Sequence, residues 1–155
     1  MSVREVVSSQ YREIVNKAAK DLSHTSLPTE GWLCTVRKAL KMSAAELARR
    51  LGKSRSLVSH TEKKEPDGGV TIKTMKNMAE AMGCRFVYAI VPENSIEDIL
   101  EAWASKKARR IVEKTSQHMA LEAQELSADQ VESEIRRISQ ELLRKMPSDF
   151  WKDNT

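Results

Sequence analysis

Arg55, Ser56, Ser59 and His60 are the residues of this chain whose types and spacing could do chemistry, and that chemistry is recognition rather than bond-making. An arginine can donate two hydrogen bonds to O6 and N7 of a guanine, worth about 1–3 kcal/mol of discrimination. Serine hydroxyls and an imidazole can reach base edges or phosphates. All four lie on a segment, Arg55 to about Lys63, whose one clearly apolar core position is Val58, with Thr61 three residues on. A helix that enters a major groove needs such a small, polar and basic face.

The elements that must position these side chains are spelled locally. Ser43 is placed to cap a helix whose apolar side is Leu47 and Leu51, and Glu46 stands where a capping box wants a carboxylate. Gly52 stops that helix and Ser54 caps the next, so residues 43–62 read as two short helices joined by a tight turn. Trp32 to Lys41 is expected as a preceding helix burying Leu33, Val36 and Leu40. Asp67-Gly68-Gly69 breaks the chain, and Ile72 to Met82 follows as a helix with Met75, Met78, Ala79 and Met82 on one face, ended by Gly83. Positive charge collects on this segment. Residues 32–66 hold nine Lys and Arg against three acidic residues, whereas residues 95–155 hold ten against twelve. That excess is where phosphate neutralisation would be needed.

On these residues the run from Trp32 to about Met82 resembles the Cro/XRE-type helix-turn-helix domain, with Leu40 to Ala48 and Ser54 through Glu62 matching its two central helices. The resemblance implies a five-helix lambda-repressor-like domain; with the flanking segments read from their own periodicity, the expected fold is mainly α, with one short β-strand, an N-terminal helix and a C-terminal helical extension. It implies base contacts from Arg55, Ser56, Ser59 and His60 and backbone contacts from Ser43, Lys53, Lys63, Lys64, Thr71 and Lys73. It also implies a structural ion pair between Arg37 and Glu62. Two positions depart from the pattern: Ala44 stands where many members carry a DNA-contacting glutamine, and Thr61 where an aliphatic residue packs. Gly31-Trp32, the stretch Gly83 to Pro92 and His118 to Glu122 look like the narrower bacterial group called mobile mystery protein A. Its genes commonly sit beside one for a Fic-domain protein, which implies an antitoxin-like regulator. Ser26 to Gly31 fits the loose S/T-x-x-x-E-G/N spelling of Fic-inhibiting segments, making Glu30 a candidate for partner inhibition; the plainer reading of this stretch is a linker.

The flanks divide the chain into residues 1–31 (amphipathic helix and linker), 32–83 (DNA-binding domain), 84–92 (strand) and 93–155 (helical hairpin). The N-terminal helix, Val3 to about Asp21, carries Val6, Val7, Ile14, Val15 and Ala18 at helical intervals. Cys84 to Val91 alternates as a strand, with Phe86, Tyr88 and Ile90 on one face. A lone strand cannot satisfy its own backbone, so it pairs either with another segment or, as the favoured reading, with a second copy across a two-fold axis. In the tail, Ile96, Ile99, Leu100, Trp103, Ile111 and Val112 form one stripe. A second helix from near Ser127, capped with Gln130, carries Val131, Ile135, Ile138, Leu142 and Met146, and the two helices would meet near Glu125.

Several function classes are disfavoured. Cys34 and Cys84 are far apart with no CxxC pair, and His24, His60 and His118 lack metal-ligand spacing, so no disulfide framework, metal or cofactor is expected. His118 and Glu122 read as an ordinary one-turn polar pair. No nucleophile with a base, no carboxylate pair and no phosphate-cradling glycine loop appears, so an enzyme is not expected. No apolar run approaches the roughly 18–20 residues of a membrane span, and Met1 to Val7 lacks a signal-peptide core, which points to the cytoplasm. The expectation is a homodimeric repressor of its own operon that reads a palindromic double-stranded operator and serves as antitoxin to a Fic-type toxin. The alternative is an interaction module that neutralises a partner without binding DNA.

Overall fold

The computed structural model describes residues 2–121 and 126–153. Among these residues there are seven α-helices: α1 (Val3–Leu22), α2 (Trp32–Ala39), α3 (Ala44–Leu51), α4 (Arg55–Lys64), α5 (Ile72–Ala81), α6 (Ile96–Leu121) and α7 (Ala128–Lys145), with a 3-10 turn at Glu65–Asp67. They fall into two compact units, Leu22–Ala89 and a second made of Met1–Asp21 with Ile90–Thr155. No helix among the described residues is long and apolar enough to cross a membrane.

The first unit packs α2 to α5 around Leu33, Leu47, Ala48, Val58, Met75, Met78 and Met82. Its helix ends follow local chemistry. Ser43, Ser54 and Thr71 cap α3, α4 and α5, each side-chain oxygen accepting from a backbone amide three residues on, at 3.1 Å. Gly52 adopts φ 66°, and the amides of Gly52 and Lys53 return to the carbonyls of Arg49 (3.2 Å) and Ala48 (2.9 Å), a Schellman closure that turns the chain sharply into α4. Four α-helices and one 3-10 turn thus stand where five helices were implied.

The strand expected at 84–92 does not form; no strand is present among the described residues. A strand exists through ladder bonds to a neighbour, and this segment has none among the described residues. Its alternation has another use. Phe86 packs against the core of the first unit, Tyr88 stacks on Phe86 at 5.8 Å between ring centroids, and the Lys76 ammonium lies 5.8 Å from the Tyr88 ring.

In the second unit α6 packs on α7. Of the stripe expected from sequence, Val112 is fully buried and Ile96, Leu100 and Trp103 are half-buried. Ala104, Ala108 and Val112, at four-residue steps, are buried, while Ile99 and Ile111 remain 45% and 37% exposed. Small side chains let the helices approach, and the hydroxyls of Ser105 and Ser139 come within 3.5 Å across the seam. Ile135, Val131, Ile138 and Leu142 of α7 fill the same core. A complete capping box starts α7, with Ser127 Oγ accepting from the Gln130 amide (3.2 Å) and Gln130 Oε1 from the Ser127 amide (2.9 Å). The expected join near Glu125 and the Glu122 side of the His118 pair lie outside the described residues.

Helix α1 is tied to α6 through Arg12 and Asn16. Asn16 Oδ1 accepts from the Ile96 amide at 2.9 Å, its Nδ2 donates to Glu97 at 2.7 Å, and Arg12 pairs with Glu97 at 3.2 Å. Val3, Val7, Tyr11 and Ile14 stay exposed, and no residue of α1 is buried.

Candidate nucleic-acid interface

The site is built on the first unit, and its base is an ion pair. Arg37 of α2 donates from Nε to Glu62 Oε1 (2.5 Å) and from Nη2 to Glu62 Oε2 (3.0 Å), while its Nη1 donates to the Met42 carbonyl (2.9 Å). One guanidinium thus fastens α2, the turn before α3 and the end of α4. The Glu62 hydrogen bonds are the main reason the guanidinium is held above its ordinary pKa. With Val58 buried one turn earlier, the pair fixes which face of α4 points outward.

That outward face carries Ser56, His60 and Lys63 at steps of four and three, all exposed. Arg55 opens the helix and is exposed as well. Ser59 differs. It is half-buried on the flank beside Val58, so the four expected base-reading residues do not form one equivalent set.

Among the residues expected at phosphates, Lys53 lies in the turn, Lys63 and Lys64 close α4, and Lys73 sits in the first turn of α5, all exposed. Ser43 and Thr71 are committed to their own helix ends: the Ser43 hydroxyl donates to Glu46 Oε1 (3.1 Å) and the Thr71 hydroxyl to Thr74 Oγ1 (2.9 Å). Each keeps a place at the positive end of a helix, where an anion is favoured.

The three acidic residues of residues 32–66 are all consumed internally. Glu62 holds Arg37, Glu46 pairs with the Ser43 cap, and Glu65 accepts from the amides of Trp32 (2.6 Å) and Leu33 (2.8 Å), capping α2 from across the fold. Among the described residues Lys53, Arg55, Lys63, Lys64 and Lys73 form no salt bridge. Cations without carboxylates therefore surround the exposed face of α4, an arrangement suited to a phosphate backbone.

Residues 35–88 match a family model described as helix-turn-helix. Over this stretch the chain is similar to helix-turn-helix domains of the Cro/XRE type, a likeness that suggests a DNA-binding regulator. Comparison with curated proteins and with solved structures returned no match.

Two residues that position the helix-turn-helix domain have no signal in the sequence. Glu65 serves amides more than thirty residues upstream. Arg50, counted above only as a charge, donates from Nε to the Ala81 carbonyl at 2.7 Å and so ties α3 to the end of α5. Thr61 is occupied by donating to the Leu57 carbonyl (2.7 Å), and beside it a groove of about 560 Å³ runs along Leu57, Val58, Met78 and Ala81.

The remaining candidates lie elsewhere. Phe86 and Tyr88 are brought together, but Ile90 is 93% exposed and joins neither. Glu30, before α2, is paired with Lys38 at 2.9 Å and accepts from Cys34 Sγ at 3.6 Å. The Lys38 hydrogen bond and charge hold the Glu30 carboxyl below its ordinary pKa, while burial pushes the Cys34 thiol up. Among the described residues no group of His, Cys, Asp and Glu is arranged to hold a metal ion.

Proposed function

We propose that this chain is a sequence-specific DNA-binding transcriptional regulator: a cytoplasmic homodimer that represses its own operon from a palindromic operator and acts as antitoxin to a Fic-domain toxin. The observation that carries the DNA-reading part is the exposed α4 face of Ser56, His60 and Lys63, headed by Arg55 and bordered by cations that form no salt bridge among the described residues. The proposed role is binding, with no catalytic step assigned. Dimerisation is supported by the 84–91 segment, which leaves Val87, Tyr88 and Ile90 exposed and has no ladder partner among the described residues; a second copy laid antiparallel would supply one. Two recognition helices so joined would read half-sites about 34 Å apart. The Fic part rests on resemblance, and Glu30 is its candidate residue. A Glu30→Ala variant that still inhibited a co-purified Fic protein would remove Glu30 from that role.

The exposed apolar face of α1 favours a second reading, an interaction module that neutralises its partner without DNA. A mobility assay on the upstream region of its own gene separates the two. The regulator reading expects affinity to fall steeply with salt, and Arg55→Ala to weaken binding by about 1–3 kcal/mol, or roughly 5- to 150-fold. Ser56→Ala and His60→Ala should cost more than Ser59→Ala, because Ser59 is half turned inward. Equal, weak and salt-independent binding by wild type and Arg55→Ala would leave only the interaction module.

A further inference from the structure

A second cationic surface lies on the helical unit, away from the helix-turn-helix domain in sequence. From Trp103 to Lys114, α6 carries Lys106, Lys107, Arg109, Arg110 and Lys114 against the single acid Glu113. Lys107 is set apart from the others: it is buried, and its ammonium donates to the carbonyls of Asp149 and Phe150. Trp103 Nε1 donates to the same Phe150 carbonyl at 2.5 Å. These bonds clamp the C-terminal turn onto α6, placing Trp151 5.6 Å from Trp103 between ring centroids and Asp153 3.5 Å from Arg110. Trp151 remains 55% exposed, and the Lys106 ammonium lies 5.5 Å from the Trp103 ring.

We propose that Lys106, Arg110 and Lys114, with Lys152 and the exposed ring of Trp151, form a second nucleic-acid surface that grips a DNA backbone without reading sequence. The three α6 cations recur at four-residue steps, on one face, about 6 Å apart along the helix axis. A DNA strand advances about 3.4 Å per phosphate, so successive turns of α6 would meet about every second phosphate. Among the described residues Lys106, Lys114 and Lys152 form no salt bridge. Arg110 pairs with Asp153, and both of those side chains are substantially exposed, so displacing the carboxylate costs little. A protein partner would want an apolar centre inside its rim. Here the exposed aromatic is a single tryptophan beside a row of cations, a combination that suits phosphates and base faces.

The test uses the full chain, a labelled duplex of random sequence, and anisotropy titrations across a salt series. Changing Lys106→Ala, Arg110→Ala and Lys114→Ala together should make the slope of log K against log salt shallower by about 2–3, in the wild-type background and in Arg55→Ala alike. Lys114→Ala alone should change it by about 1. An unchanged slope in triple and single variants, with helicity intact by circular dichroism, would overturn the proposal. So would loss of binding to anionic phospholipid vesicles with DNA binding unaltered, which would assign the patch to a membrane surface. The inference stands apart from the operator reading: failure of Arg55→Ala to affect operator binding counts against that reading only, while the random-duplex slope judges this surface.

Discussion

Arg37 and Glu62 share two hydrogen bonds across 25 residues of chain, with their side chains only 15% and 9% exposed. Removing one partner would strand the other's charge in a half-desolvated site, the costly way to break such a pair. Arg37→Ala should therefore destabilise the helix-turn-helix unit by about 3 kcal/mol, visible as a lower thermal midpoint. Replacing both residues by apolar ones of similar volume should cost less than either single change. A double variant at least as unstable as the sum of the singles would contradict this account of the pair.

Gly31 and Glu65 are coupled in a different way. Gly31 has φ +86°, and a Cβ built there would lie 2.8 Å from Glu65 Cδ. Glu65→Ala should cost about 1–2 kcal/mol by leaving the Trp32 and Leu33 amides without their carboxylate. Gly31→Ala should cost at least about 1 kcal/mol from the left-handed backbone, with the clash added. In Gly31→Ala/Glu65→Ala the clash vanishes and the backbone strain stays, so denaturant melts should show a double change smaller than the sum.

The legibility of this fold follows the range of its interactions. Ser43, Ser54, Gly52 and the Ser127–Gln130 box act within one turn of chain, so each was readable from its neighbours and each appears where expected. Glu65 was unreadable because its partners are defined only once the 3-10 turn docks on α2. Ser59 looked equivalent to Ser56 because residue type does not reveal that Val58 and Glu62 rotate its flank inward. The alternation in 84–92 was real, but a period of two records side-chain placement alone; whether it becomes a strand depends on a backbone partner. Lys107 had the opposite disguise, a buried donor inside a run of solvated cations.

Glu30 and Lys38 give a pH-dependent signature. The Lys38 hydrogen bond and charge lower the Glu30 pKa from 4.5, so this carboxylate's contribution to stability is present above its unfolded value and is lost as pH falls through the lower folded one. Lys38 is raised from 10.5, chiefly by the Glu30 hydrogen bond, so its contribution is present below that value and is lost as pH rises through the folded one. The pair is exposed and its effect on stability small. Side-chain carboxyl NMR should place the Glu30 midpoint below 4.5, and Lys38→Ala should return it toward that value. A midpoint indifferent to Lys38 would separate the two residues.

Lys107 should behave as a structural donor although it sits in a basic run. Its ammonium serves the Asp149 and Phe150 carbonyls, and Phe150, almost wholly buried, anchors the turn that follows Met146. Met146 itself adopts φ 42°, so the chain leaves α7 through a left-handed residue that has to be held in place. Lys107→Met keeps the stem and removes the donor, leaving Trp103 Nε1 as the remaining bond to the Phe150 carbonyl. The loss should be about 1.5–3 kcal/mol, the range for a hydrogen bond from a charged group, with Trp151 becoming more accessible to acrylamide quenching. Lys106→Met, one residue away and exposed, should change neither stability nor quenching by a comparable amount. Equal effects at the two positions would mean that burial of the Lys107 ammonium does not hold the C-terminal turn.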